Sequence, residues 1–170
     1  MRKLSEILYL LALTVWVGGM LVVGYLAAPV LFAELSDRIL AGNLAGKMFT
    51  WMARIGLGCG AYILLFLVFR RGLGAFKSSA FWLALTMVGL VAASHFGIQP
   101  IMQHLKDSAL PAEVMHSAFR DRFATWHGVS SVVYLIQSVL GLILLVQGSD
   151  VREQGTGSRG QKPTRSRAAR

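Results

Sequence analysis

Three stretches of this chain run without a formal charge for longer than a bilayer is thick: Ile7 to Ala33, Ser78 to Leu105, and Phe123 to Ser149. A helix needs about 20 apolar residues to cross a hydrocarbon core of ~30 Å. Each stretch is therefore long enough to span one. Only closed barrels and helices satisfy their backbone hydrogen bonds inside lipid, and runs of this length select the helix. Composition agrees. Of 170 residues, 55% are hydrophobic and 15% charged, with a mean hydropathy of +0.57. A soluble domain of this size has too little interior to hide so much apolar side chain.

A fourth apolar stretch, Ile55 to Phe69, is too short alone. Extended back through Met48 it reaches spanning length but takes in Arg54, whose long side chain can snorkel beside Trp51. The expected fold is an all-α integral membrane four-helix bundle over residues 1–149, with helices near 6–33, 47–69, 78–102 and 124–147. Arg2 and Lys3 precede an apolar run much longer than a signal peptide's core, so the first block reads as a retained helix. Pro111 and Glu113 mark the first turn of a short surface helix, with Met115, Ala118, Phe119 and Arg122 along one face.

Basic residues orient the bundle. Arg2 and Lys3, then Arg70, Arg71 and Lys77, then Arg152 and the arginines and lysine that follow all fall on one side. On the other side, Arg38, Lys47, Arg54, Lys106, Arg120 and Arg122 are nearly offset by Glu34, Asp37, Asp107, Glu113 and Asp121. The positive-inside rule puts the richer side, with both termini, in the cytoplasm, and the surface helix in the periplasm. The expected location is a bacterial inner membrane. Residues 150–170, rich in Gly, Ser, Gln and Arg, read as a disordered basic tail lying near anionic lipid headgroups. The formal charge of +9 does not indicate nucleic acid, because it gathers at span ends and in the tail, not on a helix face. Cys59, the lone cysteine, is a small packing residue.

Helices in lipid associate by close packing and interhelical hydrogen bonds. Gly18, Gly19 and Gly24 in the first helix, Gly56 and Gly60 in the second, and Gly89, Ala93 and Gly97 in the third are expected to pack the bundle or a homo-oligomer. Polar residues occur within the third and fourth spans. His95, Ser94 and Gln99 belong to the third helix. In the fourth, His127, Ser131, Tyr134 and Ser138 share a face, with Ser130 and Gln137 beside it. The simplest role of these groups is to hydrogen-bond to one another and fix helix register. Two chemical alternatives stand beside it. His95 and His127 could be axial ligands of a b-type haem or could flank a quinone headgroup, their depths differing by about one helical turn, ~5 Å. Alternatively, His95, His104, His116 and His127 with Met48, Met52, Met102 and Met115 could serve a copper(I)-tolerance transporter component, since imidazole and thioether suit that ion. No serine elbow, P-loop, paired carboxylates or metalloprotease helix is present, so no cofactor and no enzymatic role are expected.

The run Trp16-Val17-Gly18-Gly19-Met20, then Ala28-Pro29-Val30-Leu31-Phe32, then Leu40-Ala41-Gly42 and Gly46, resembles the transmembrane protein 205-like family, formerly a domain of unknown function. The resemblance covers roughly residues 6–147. In that family the last helix typically opens with a histidine followed three residues on by a serine, matched here by His127 and Ser130. Tyr134 stands where the family carries an asparagine. The resemblance implies a four-helix membrane protein, and a link to drug or stress tolerance through the family's eukaryotic namesake. The Trp-x-Gly-Gly start is also similar to that of copper-resistance membrane domains and of oxygen-independent haem-pathway oxidases. The histidine those oxidases carry in their first helix is absent here.

Overall fold

The computed structural model describes the backbone of residues 2–108 and 116–157, and the side chains of 3–104, 122 and 124–147. The described residues are helical almost throughout, and no strand occurs among them. The first span joins α1 (Arg2–Val22), a π-helical turn (Val23–Ala27) and α2 (Ala28–Glu34). The second is one long helix, α3 (Arg38–Arg71). After a 3-10 stretch (Gly72–Lys77), the third joins α4 (Ser79–Ala93), a second π turn (Ser94–Ile98) and α5 (Gln99–Ser108). The fourth belongs to α6 (His116–Gly157). Four helices are thus long and apolar enough to cross a membrane.

The second helix begins at Arg38, well before the expected start near 47. The cause is Asp37, whose carboxylate accepts hydrogen bonds from the backbone N–H groups of Ile39 (2.8 Å) and Leu40 (3.1 Å). An aspartate N-cap satisfies donors that a helix start otherwise leaves unpaired, and Arg38 and Lys47 are good helix formers. At ~1.5 Å per residue, α3 is then ~50 Å long, so its span is not short at all. It ends at Gly72, whose φ of 55° is left-handed and suits glycine. The fourth helix also overruns its expected end at 147. It continues through the first residues of the expected tail because Asp150–Gln154 contain no breaker, and Gly155 and Gly157 come only afterwards. The start of the expected surface helix, with Pro111, Glu113 and Met115, and the tail beyond 157 lie outside the described residues. From His116 onward, helix and fourth span are continuous.

The spans close into a ring in chain order, the first packing on the second, the second on the third, the third on the fourth and the fourth on the first. Short connections between the first three make neighbours antiparallel. Contacts at one end fix the register. Arg70 pairs with Glu6 at 3.0 Å, and Tyr62 donates to the Ser5 carbonyl at 3.2 Å. At the same end Arg71 donates to Ser78 at 2.8 Å, and Ser79 donates to Gln147 at 3.1 Å.

The packing is that of a membrane bundle. Only 22–28% of each span's most apolar window is buried, and large apolar side chains face outward in every span, Phe69 and Leu73 being 85% exposed. In water such a surface would drive aggregation, whereas in hydrocarbon it is solvated. Small and close-fitting groups fill the interior. Trp16, 2% exposed, lies where Gly56 and Gly60 would otherwise carry side chains, and a Cβ on either glycine would collide with its indole. Gly141 leaves room for Met87 and Val17, and Gly19 for Met52. The third-helix glycines do otherwise. Around Gly89 and Gly97 nothing comes within 4 Å of where a Cβ would stand. That part of the expected packing set faces out of the bundle, because α4 turns Ala80, Ala84, Met87 and Val91 inward instead.

Candidate functional site

Both π turns end at the same place relative to a proline. The N–H of Ala28 reaches back five residues to the Val23 carbonyl, and that of Gln99 does the same to Ser94; Pro29 and Pro100 follow immediately. Proline lacks an N–H and crowds the carbonyl four residues before it, and a wider turn relieves both problems. Such turns recur at functional sites. Here they lie in the halves of the first and third spans nearer Glu34 and Ser108, and two polar clusters are built on them.

The first cluster joins the first and fourth spans. The Tyr134 hydroxyl donates to the Met20 carbonyl, one turn ahead of the π segment, with the Gly24 backbone beside the same oxygen. Gly24 makes this approach feasible, since a Cβ there would overlap the phenol ring. Tyr25, inside the π turn, donates to Ser138 (3.1 Å), and Ser138 donates to the Tyr134 carbonyl (2.9 Å). Phe49 of α3 closes the cluster edge-on against the Tyr134 ring, centroids 5.2 Å apart.

The second cluster joins the second and third spans. His95 lies in the π turn, with Nδ1 2.9 Å from Gln99 Oε1. An amide oxygen only accepts, so with Oε1 facing the ring Nδ1 is the donor of this contact. The Thr50 hydroxyl lies 2.9 Å from the Gly46 carbonyl and 3.3 Å from the same Gln99 oxygen. Phe96 meets the imidazole edge-on at 4.9 Å.

The expected polar stripe on the fourth helix is divided by this arrangement. His127 and Ser131 are exposed, and the Ser130 and Ser131 hydroxyls donate back to the His127 carbonyl at 2.8 and 2.9 Å. Tyr134 and Ser138 face the interior. Gln137, expected beside the stripe, is 5% exposed and donates to the Met87 carbonyl at 3.5 Å. The buried face is therefore Tyr134–Gln137–Ser138–Gly141–Leu144, rotated from the line through His127. Every buried side-chain nitrogen and oxygen among the described residues has a partner. Of the residues in these clusters, Tyr25 and Thr50 carried no sequence signal of their own. Tyr25 is flagged only by standing between Gly24 and Pro29.

A third feature opens on the outside. A groove of about 320 Å³ runs between the π turn of the first span and α3, lined by Val23, Leu44, Lys47, Met48, Trp51, Met52 and Ile55. Arg54 stacks on one wall, its guanidinium carbon 5.1 Å from the Trp51 ring centroid. Met48 and Met52 thus share a face, and no three His, Cys, Asp or Glu side chains come together as a metal-binding group among the described residues.

The motif residues divide similarly. Trp16 is a core wedge, Pro29 follows the first π turn, Ala41 is fully buried, and the Phe32 ring lies 3.7 Å from where a Gly42 Cβ would be. Gly18 has open space around it. Comparison with curated proteins and with solved structures gives no match. Residues 11–110 match a family model that takes in the Trp16–Met20, Ala28–Phe32 and Leu40–Gly46 segments, both π turns and the groove, but not the fourth span. That match covers more than half of the chain, and the protein belongs to the family described as Domain of unknown function (DUF4149).

Proposed function

We propose that this protein is a multi-pass component of the bacterial inner membrane, allied to transmembrane protein 205-like proteins. Both termini lie in the cytoplasm, the π turns lie in the periplasmic half, and the protein contributes to tolerance of drug, metal or other membrane stress without catalysing a reaction. The observation that supports this reading is what the polar side chains do. Tyr25, Thr50, Gln99, Tyr134, Gln137 and Ser138 are spent on hydrogen bonds that tie one span to the next. Such bonds are the glue of a lipid-embedded bundle. The test is a deletion strain challenged with lipophilic drugs, copper and detergent. Increased sensitivity restored by the wild-type gene is expected, and growth indistinguishable from the parent under all three would overturn the tolerance role.

A second reading has one observation in its favour. The Nδ1–Gln99 contact orients the His95 ring, as outer-shell partners orient a ligating imidazole. A b-type haem using His95 and His127 is the form this would take, with a quinone headgroup as its organic counterpart. A copper site would draw instead on Met48 and Met52. The absorption spectrum of purified protein separates the haem reading from the first.

A further inference from the structure

We infer that the groove beside the first π turn is a binding site for one acyl chain of an anionic phospholipid, with Lys47 and Arg54 engaging its phosphate-bearing headgroup. The inference rests on the four spans lying in a bilayer, and not on any role in stress tolerance.

Shape comes first. Leu44, Met48, Met52 and Ile55 follow one another at helical spacings of four, four and three, so they form one continuous face of α3, which Val23 closes from the first span. From Leu44 to Ile55 the face runs ~16 Å along the helix axis. It is apolar, elongated and open at the side, which suits a flexible hydrocarbon chain better than a compact ligand. The two methionines are adaptable walls for such a chain.

Charge identifies which lipid. Lys47 lines the groove, and Arg54 stands two turns further along the same helix, stacked on Trp51. Among the described residues the salt bridge present is Arg70–Glu6, so neither cation has a carboxylate partner there. The first span offers none at this level, being uncharged from Ile7 to Ala33. Asp37, the nearest acid in sequence before Lys47, has its carboxylate on the N–H groups of Ile39 and Leu40. Cations on a lipid-facing helix are costly and are ordinarily paired, and a headgroup phosphate is the anion that the surroundings supply. Arg54 stacks on Trp51, which is itself a lining residue, and the planar fork of a guanidinium suits a phosphate that reaches past the ring.

The test uses the full chain purified in mild detergent. Phosphatidylglycerol and phosphatidylcholine with the same acyl chains are titrated, and binding is followed by thermal shift and by native mass spectrometry. Phosphatidylglycerol should bind roughly tenfold more tightly. The double variant Lys47→Gln/Arg54→Gln should lose that preference, whereas Lys3→Gln/Lys77→Gln should keep it. Leu44→Trp, which fills the groove from an exposed position, should weaken both lipids. A readout independent of charge variants is quenching of tryptophan fluorescence by brominated chains. Brominated phosphatidylglycerol should quench more than brominated phosphatidylcholine, and Trp51→Phe should remove the difference. Equal affinity for the two lipids, equal competition by free palmitate, or a preference abolished by the Lys3/Lys77 pair would each overturn the inference.

Discussion

Tyr134 and Gly24 act as one unit. The tyrosine carries its hydroxyl across to the first span, and the glycine leaves the space through which the ring passes. Tyr134→Phe removes the hydrogen bond and keeps the ring, so the expected loss is modest, about 0.5–1.5 kcal/mol for an interhelical bond in a membrane. Gly24→Val forces the ring aside and should cost more, ~1–3 kcal/mol from overpacking. Unfolding by SDS titration from mild-detergent micelles measures both. A Gly24→Val protein as stable as the wild type would mean that the contact is not formed. The histidines give a second test. In the reading favoured here the purified protein is colourless, and His95→Gln and His127→Gln both fold, since glutamine preserves hydrogen-bonding capacity. A stoichiometric Soret band lost in both variants would make the protein a haem protein, because glutamine cannot replace an axial imidazole. Arg54→Leu tests the cation by itself. Its partner is the Trp51 ring, and no ion pair to it occurs among the described residues, so folded yield in detergent should fall little. A large loss, rescued by removing Glu34 or Asp37, would reveal an ion pair instead.

At the scale of elements, the decisive contacts are those between Trp16 and the Gly56–Gly60 face. Without a hydrophobic driving force between helices, a bulky wedge in a glycine slot gains its stability from close dispersion contact. Gly56→Leu and Gly60→Leu should therefore unfold the bundle or drop its thermal midpoint steeply. Gly89→Leu, on a face with open space, should be tolerated within ~0.5 kcal/mol. Equal damage at Gly89 would show that this face is covered, as it would be in an oligomer. The same comparison shows what the sequence carried. Absence of charge over Ile7–Ala33, Ser78–Leu105 and Phe123–Ser149 reports a span directly, because lipid excludes charge wherever it falls along the helix. Which glycines face inward is not local information, since it depends on where α4 turns Ala84 and Met87. The early start of α3 was written in Asp37 but hidden by the charges of Arg38 and Lys47, which held the expected start back to 47. The π turns are announced by Pro29 and Pro100 only as kinks. Which residues of the fourth helix meet the first span is likewise not local information: Tyr134 reaches the Met20 carbonyl from more than a hundred residues away, and Gln137 is buried while His127 is exposed.

At the scale of the whole molecule, the contacts gather the start of the first span, the end of the second, the start of the third and the end of the fourth at one end. The bundle is therefore an even-membered ring in which the start of the first span and the end of the fourth lie on one side. The proposed topology turns that end to the cytoplasm, because Arg70, Arg71 and Lys77 lie in its connection and Lys3 stands at the start of the first span. Reporter fusions after Lys77 and at the C-terminus should then both read cytoplasmic, and a fusion near Asp107 should read periplasmic. The decisive element is the second span, in which Arg54 lies away from either end of the helix. A centrally placed arginine costs ~2.5–3.5 kcal/mol on insertion scales, and a helix that failed to insert would put the C-terminus outside. Against that cost stand ~50 Å of helix and the apolar run from Ile55 to Phe69, enough to cross the core with Arg54 displaced toward one interface. Arg54→Leu should consequently leave every reporter unchanged. A C-terminal reporter that reads periplasmic in the wild type and switches to cytoplasmic in Arg54→Leu would show that the arginine, not the loop charges, controls the topology.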